Sequence, residues 1–391
     1  MAKSDTEVAI IGGGAAGIAA GRRLAKAAIE CLVIEARPRL GGRAWTVADD
    51  AGHTLDLGCG WLHSAEQNPW TTIAQAQGRT IDRSTPPWQK PALTAGFSAA
   101  EQADFGKAQR AFFERLEEIG QSGGDVPASK AFEPGCRWNG MIDAVGTYIT
   151  GAEMERVSAL DFANYADTEI NWRVREGYGT AIAAHGESLP VLLDCAVLQI
   201  DRSGRRLKIE TAKGTITADQ VIVTLPSAVL AEKEFLFSPP LPDKTAAAAG
   251  LPLGLADKLF LSLSDAEEFA PDSRLFGRTD SAAKELEAAG DDAFAAYAIS
   301  ELAGLLGNDF RRRVKPVRIH RWGADPFALG SYSYAKPGQA GCRATLAAPV
   351  DGRLFFAGEA CSENDFSTAH GGYRTGVAAA DQAIAARKRA R

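Results

Sequence analysis

The chain has 391 residues, 46% of them apolar and 24% charged, and a formal net charge of −6. That length predicts two or three domains around a sizeable core, and the acidic balance offers no basic footprint for nucleic acid. No apolar run reaches the roughly 18–20 residues that span a bilayer, and the six cysteines form no C-x-x-C pair.

Asp5 and Glu7 precede the first apolar run, so the N-terminus does not read as a signal peptide. Unpaired cysteines then fit a reduced, cytoplasmic protein, and the scattered histidines show no metal-ligand spacing. Val8–Ile11 is apolar and is followed by Gly12-Gly13-Gly14; Ala15–Ala28 reads as a helix. Cys31–Ile34 is a second apolar run without alternation, as in a parallel strand covered on both faces. Gly12, Gly14 and Gly17 satisfy G-x-G-x-x-G between the strand and the helix. Such glycines allow a tight turn, close approach of a pyrophosphate and close helix–strand packing. Glu35 ends the second strand, where an acid binds a ribose 2′-hydroxyl and repels a 2′-phosphate. The unit predicts dinucleotide binding and disfavours NADP.

In "EARPRLGGRAWT", Gly41 and Gly42 permit a second tight passage and Arg43 offers a rigid fork of donors suited to phosphate. One turn suffices for NAD; the second passage fits the larger FAD. Between Asn68 and Gln89 the apolar pattern weakens, and Pro86, Pro87 and Pro91 suggest a crossing out of the first domain. Ser98–Gly120 has helical spacing with a Ser98/Glu101 capping box, and more helix is expected around Gly140–Ser158. Strands are expected at Ala196–Ile200, Arg206–Glu210, Val221–Thr224 and Leu255–Leu263. Asp280–Gly307 reads as helix broken at Gly290, Leu354–Ala357 as a strand entering Gly358, and Thr375–Arg389 as a closing helix with a solvated basic tail.

With these stretches in place the sequence resembles the flavin-containing amine oxidases: monoamine oxidases, polyamine oxidases and lysine-specific histone demethylases. The resemblance is carried by the double glycine passage, "LDLGCGWLH", "GLADKLFLSL" and "FFAGEACSENDFSTAHGGYRTGVAAA". It implies an α/β fold in which a Rossmann-like FAD-binding domain (1–80, 190–232 and 345–391) is interleaved with an α+β substrate-binding domain (81–189 and 233–344). It implies noncovalent FAD held by Gly12, Gly14, Ala16, Gly17, Glu35, Ala36, Arg37, Gly42, Arg43, Val197, Gly358 and Glu359. Gly58, Cys59, Gly60, Trp61 and Trp322 are expected near the flavin ring, with Thr368 and Ala369 at its pyrimidine end.

Lys258 is expected to reach the flavin N5 through a water and to favour oxygen reduction electrostatically. Tyr373 and Trp322 should form two aromatic walls of the amine's passage, and His63 should help to place the substrate nitrogen. The implied reaction oxidises an amine to an imine, which hydrolyses to an aldehyde or ketone, while O2 is reduced to H2O2. The partners are then a small-molecule amine and O2, with no nucleic acid and no membrane; a homodimer is compatible with this reading.

Two departures from the family stand out. Gly330 and Ser331 occupy the positions of the monoamine oxidases' flavin-linked cysteine and second cage tyrosine, and the passage from Arg278-Thr279-Asp280 to Ala282 is short. Two other readings remain open: an amino-acid oxidase or desaturase of the same fold, with Arg173, Arg175 or Arg278 as a carboxylate partner, and an FAD-holding scaffold without turnover.

Overall fold

The computed structural model describes residues 5–90, 92–233, 235–275 and 283–390. Its centre is an eight-stranded sheet. The Asp5–Ile11 strand lies in the middle, parallel to Cys31–Ile34 on one side and to Gly214–Val223 on the other. Val191–Leu192 extends the first side. Gly214–Val223 is shared on its far edge: its start pairs antiparallel with Leu207–Thr211, and its end pairs parallel with Leu354–Phe356. Val197–Asp201 and Phe237–Ser238 complete the sheet.

The pleat explains why the first strand is apolar throughout. Ala9 and Ile11 pack into the core on one face, and Val8 and Ile10 into the core on the other. Helices Ala15–Lys26 and Ala369–Ala390 cover the second face together. The carboxyl ends of the first strand, of Gly214–Val223 and of Leu354–Phe356 therefore open at one edge, where ligands of parallel sheets collect.

A third core forms under the Ala99–Gln121 helix and the Asn139–Thr150 helix, with Phe105, Phe112, Leu116, Trp138 and Ile142 buried. The Ser98/Glu101 capping box is present as expected. Lys258–Leu263 pairs antiparallel with Val314–His320, so that Lys258 stands opposite His320. The helices Ala283–Ala289 and Asp291–Leu306 are separated at Gly290, whose φ of 96° suits glycine.

Several elements differ from expectation. Residues 68–89 include a helix, Pro69–Ala76, started by Asn68 accepting the Trp70 N–H at 3.0 Å. The region 140–158 is helical only to Thr150; a second short helix begins at Ala159. Val314–His320 is a strand that the sequence does not signal, because Pro316 weakens the pattern; a two-stranded ribbon tolerates that proline at an edge. Pro91, the Arg278-Thr279-Asp280 passage and Ala282 lie outside the described residues.

Candidate active site

The first strand runs into Gly12, and the first helix begins at Ala15 with no side-chain cap and no acid in its first turn. Its leading amides are thus left for an external acceptor. Gly17 serves packing: a Cβ there would lie 1.9 Å from the Gly12 carbonyl oxygen. The second passage crosses the first, with the Gly41 N–H donating to the Gly13 carbonyl at 2.9 Å. Gly42 is held at φ 59°, and a Cβ on it would meet the Gly14 Cα at 3.2 Å. Glu35 accepts the Gly13 N–H at 2.6 Å and the Arg37 N–H at 2.8 Å. Its carboxylate keeps lone pairs for ribose hydroxyls.

This edge opens into one cavity of about 1360 Å³, larger than the about 300–1,000 Å³ of an ordinary small-molecule pocket. Every site residue expected from the sequence lines it except Gly17 and Tyr373. The described residues fit FAD: free helix-terminal amides, the crossed glycine passages, the Glu35 carboxylate and an arginine converge on an elongated cavity.

Arg43 donates through one nitrogen to Glu359 Oε1 and to the Ser331 carbonyl, each at 2.9 Å. Glu359 Oε2 accepts from the Ser333 hydroxyl at 2.6 Å and the Ser367 N–H at 2.9 Å. Burial pushes the Glu359 carboxyl up, but Arg43, Ser333 and Arg343 outweigh it and hold it below the usual carboxylate range. Ser333 also accepts from Arg343 at 3.0 Å, and Arg343 is paired with Asp161 at 2.5 Å in full burial. One hydrogen-bonded chain thus joins the phosphate-side arginine to the helical lobe.

Lys258 turns inward. Its Nζ donates to the Gly58 carbonyl at 2.5 Å and the Asp56 carbonyl at 3.1 Å, and burial lowers its pKa from the ordinary lysine value. Burial also pushes the neighbouring Cys59 thiol up to about 12, so it stays protonated. His63 Nδ1 lies 2.6 Å from Asn171 Oδ1, and the Asn171 amide nitrogen donates to the Glu169 carbonyl at 3.0 Å. That orientation assigns the proton to Nδ1 and leaves Nε2 as the acceptor. Burial lowers the His63 pKa, which favours the neutral ring.

Of the two expected aromatic walls, the structure brings one to the cavity and not the other. Tyr373 is not a cavity wall. Thr368, Ala369 and Gly372 line the cavity, whereas Tyr373, on the same helix, does not. It packs edge-on to Trp70 at 5.2 Å and beside His185 at 6.4 Å. Trp322 lines the cavity, as expected, and its indole is anchored in the fold. It is 1% exposed, and its Nε1–H donates to the Leu57 carbonyl at 3.1 Å. It buttresses the loop that Lys258 also holds.

The walls were not legible in the sequence. Phe105, Phe113, Met141, Val145, Tyr148 and Ile149 come from the two long helices, and Asp167 and Glu169 from the loop before Asn171. Asn171 is far from His63 in the chain, and no local pattern marks it. At Gly330 the φ is 142° and a Cβ would lie 2.4 Å from the Leu253 Cβ, so this backbone leaves no room for a cysteine.

The family model "Flavin containing amine oxidoreductase" matches residues 138–266 and 265–384, and an NAD(P)-binding Rossmann-like domain model matches residues 10–76. The chain is similar to Polyamine oxidase 3 of Oryza sativa subsp. japonica, 29% identical over 97% of this chain and 90% of that protein. It is 28% identical to Polyamine oxidase 2 of Arabidopsis thaliana over 97% of this chain and 88% of that protein. It is 26% identical to Lysine-specific histone demethylase 2 of Homo sapiens over 97% of this chain and 53% of that protein. Among solved structures, putrescine oxidase bound to putrescine superposes with a TM-score of 0.76 at 19% identity, covering 97% of this chain and 99% of that one, a likeness of fold.

Proposed function

The chain belongs to the flavin-containing amine oxidoreductases and is an FAD-dependent amine-oxidising enzyme; on that premise we propose that Lys258, His63 and the Gly58–Trp61 loop handle the reacting amine and oxygen. The observation that carries this is the Lys258 ammonium buried against the Gly58 loop in the same cavity as the glycine cradle. Bound FAD supplies the acceptor for a hydride from the amine's α-carbon and the electrons that reduce oxygen to hydrogen peroxide.

The chain's own residues do the rest. His63 Nε2 accepts an N–H of the amine and orients its lone pair. Lys258 places a positive charge where oxygen becomes negative. Phe105, Phe113, Met141 and Val145 exclude water along the carbon chain. The polyamine names of the relatives come to this chain through Asp167 and Glu169, which supply carboxylates for a second ammonium. We therefore assign it di- or polyamines. Anaerobic bleaching of the flavin by a panel of mono-, di- and polyamines tests this; bleaching by monoamines alone would overturn it. Neither described arginine that the sequence offered as a carboxylate partner is placed to serve as one. Arg173 is tied to Asp82 at 3.2 Å and Asp272 at 3.4 Å, and neither it nor Arg175 lines the cavity; Arg278 lies outside the described residues. The six unpaired cysteines favour a reducing compartment and support cytoplasmic placement.

Two outcomes follow from the geometry. FAD should be released on acid denaturation, because Gly330 has no sulfur and the Cys59 thiol stays protonated. Yellow colour remaining with the precipitated polypeptide would contradict this. Tyr373→Phe should leave kcat and KM within about twofold of the parent, since the ring faces the core; steady-state kinetics with the amine found in the panel checks it.

A further inference from the structure

Asp257 directly precedes Lys258. Its Oδ1 accepts the Trp322 N–H at 2.9 Å, and its Oδ2 is buried without a hydrogen-bond partner. The next amide, Gly323 N–H, donates instead to Glu287 Oε1 at 2.8 Å. Two consecutive amides of one ribbon are therefore taken by two carboxylates, one from the lysine strand and one from the Ala283–Ala289 helix. Gly323 is what lets the helix come so close: a Cβ there would lie 2.1 Å from Glu287 Oε2.

Two facing carboxylates repel unless a proton lies between them. The Arg321 charge favours the Asp257 carboxylate but is outweighed, and its hydrogen bonds go elsewhere. Arg321 gives its guanidinium to Asp291 and to the Glu287 carbonyl, each at 2.8 Å. Lys258 is committed to the Asp56 and Gly58 carbonyls, and Lys284 and Glu285 on the helix are exposed. Burial, then the hydrogen bond and charge of Glu287, push the Asp257 carboxyl up to about 7.

We propose that Asp257 and Glu287 are positioning residues that share one proton, and that this proton latches the Ala283–Ala289 helix onto the ribbon carrying Lys258 and Trp322. The latch acts on catalysis through its neighbours. Lys258 and Trp322 both brace the segment around Gly58, one through the Gly58 carbonyl and one through the Leu57 carbonyl. Asp257 itself lines the cavity. Above neutral pH Asp257 loses the proton, the helix loosens from the ribbon, and the wall beside Lys258 loses its support. The kinetic consequence rests on the amine-oxidising reading; the latch itself does not.

Amide substitutions separate this from a merely structural role. In Asp257→Asn or Glu287→Gln the remaining oxygen still accepts its backbone amide, while the new NH2 replaces the shared proton. The double variant sets two NH2 groups face to face and has no acceptor between them. The sign is set by linkage. A carboxyl near 3.9 when unfolded and at about 7 when folded makes the fold less stable as pH rises across that window, with no further change above it. Thermal midpoints of the FAD-loaded proteins should therefore fall for the parent relative to Glu287→Gln between about pH 4 and 7, then run parallel. The double variant should be the least stable throughout. The ratio of parent to Glu287→Gln kcat/KM should be near one at about pH 6 and fall at least about threefold by about pH 9. Parallel thermal curves across the whole range, or a double variant as stable as the single ones, would overturn the latch. The thermal measurement needs no amine, so failure of every amine to react would count against the proposed function while the latch is still decided.

Discussion

Lys258→Met should leave FAD bound and slow the reaction of the reduced enzyme with oxygen by at least about tenfold, equivalent to about 1.4 kcal/mol of transition-state stabilisation. Methionine keeps the length and apolar stem of the lysine, so the strand opposite His320 accommodates it. What disappears is the charge at the Gly58 loop and the donor to the Asp56 and Gly58 carbonyls. Both residues are only partly buried, so water in the cavity can solvate the freed oxygens. Reduction by the amine should fall less, because hydride transfer needs no proton from this side chain.

Burial lowers the lysine's pKa, so its charge disappears with rising pH sooner than that of a free lysine. Oxygen reactivity of the parent should decline along that limb while the methionine variant stays flat. Stopped-flow measurement of the two half-reactions across pH checks both points. Reoxidation of Lys258→Met at the parent rate would return Lys258 to a packing role.

Arg43→Ala should weaken FAD retention about ten- to a hundredfold, the loss of a charge-assisted contact of roughly 1.5–3 kcal/mol. It should also destabilise the apo-protein, which the phosphate contact alone would not do. Arg43 is the ion-pair partner of Glu359, a carboxylate that is 7% exposed, and removing it leaves that charge with hydroxyl and amide donors plus Arg343 at one remove. Breaking a buried pair costs on the order of 3–5 kcal/mol, and the serine and amide donors soften this toward the lower end. FAD titration of apo-protein and thermal denaturation without cofactor measure the two parts separately. Occupancy equal to that of Lys258→Met at limiting FAD would remove Arg43 from the cofactor site.

What the sequence could determine by itself was whatever short-range covalent spacing controls. The Gly12–Gly17 turn, the acid at Glu35 and the Gly41–Arg43 passage each lie within a few residues of the backbone they shape, so their geometry follows from φ freedom and helix start alone. The Ser98 capping box is local in the same way. Even the unlinked flavin was legible, as a glycine at position 330 in place of a cysteine.

Tertiary packing decided what depends on how helices dock and on distant partners. Tyr373 sits in the right motif, but the docking of its helix against Trp70 and His185 turns the ring into the core. Trp322 sits in the right place, yet its indole is committed to the Leu57 carbonyl. The Asn171 bond that sets the His63 tautomer, the Ser333–Arg343–Asp161 chain behind Arg43, and the adjacent amides accepted by Asp257 and Glu287 all join separate segments. No one-dimensional spacing encodes such pairs. They exist because burial forces each polar group to find a partner, and only the packed fold determines which partner lies within reach.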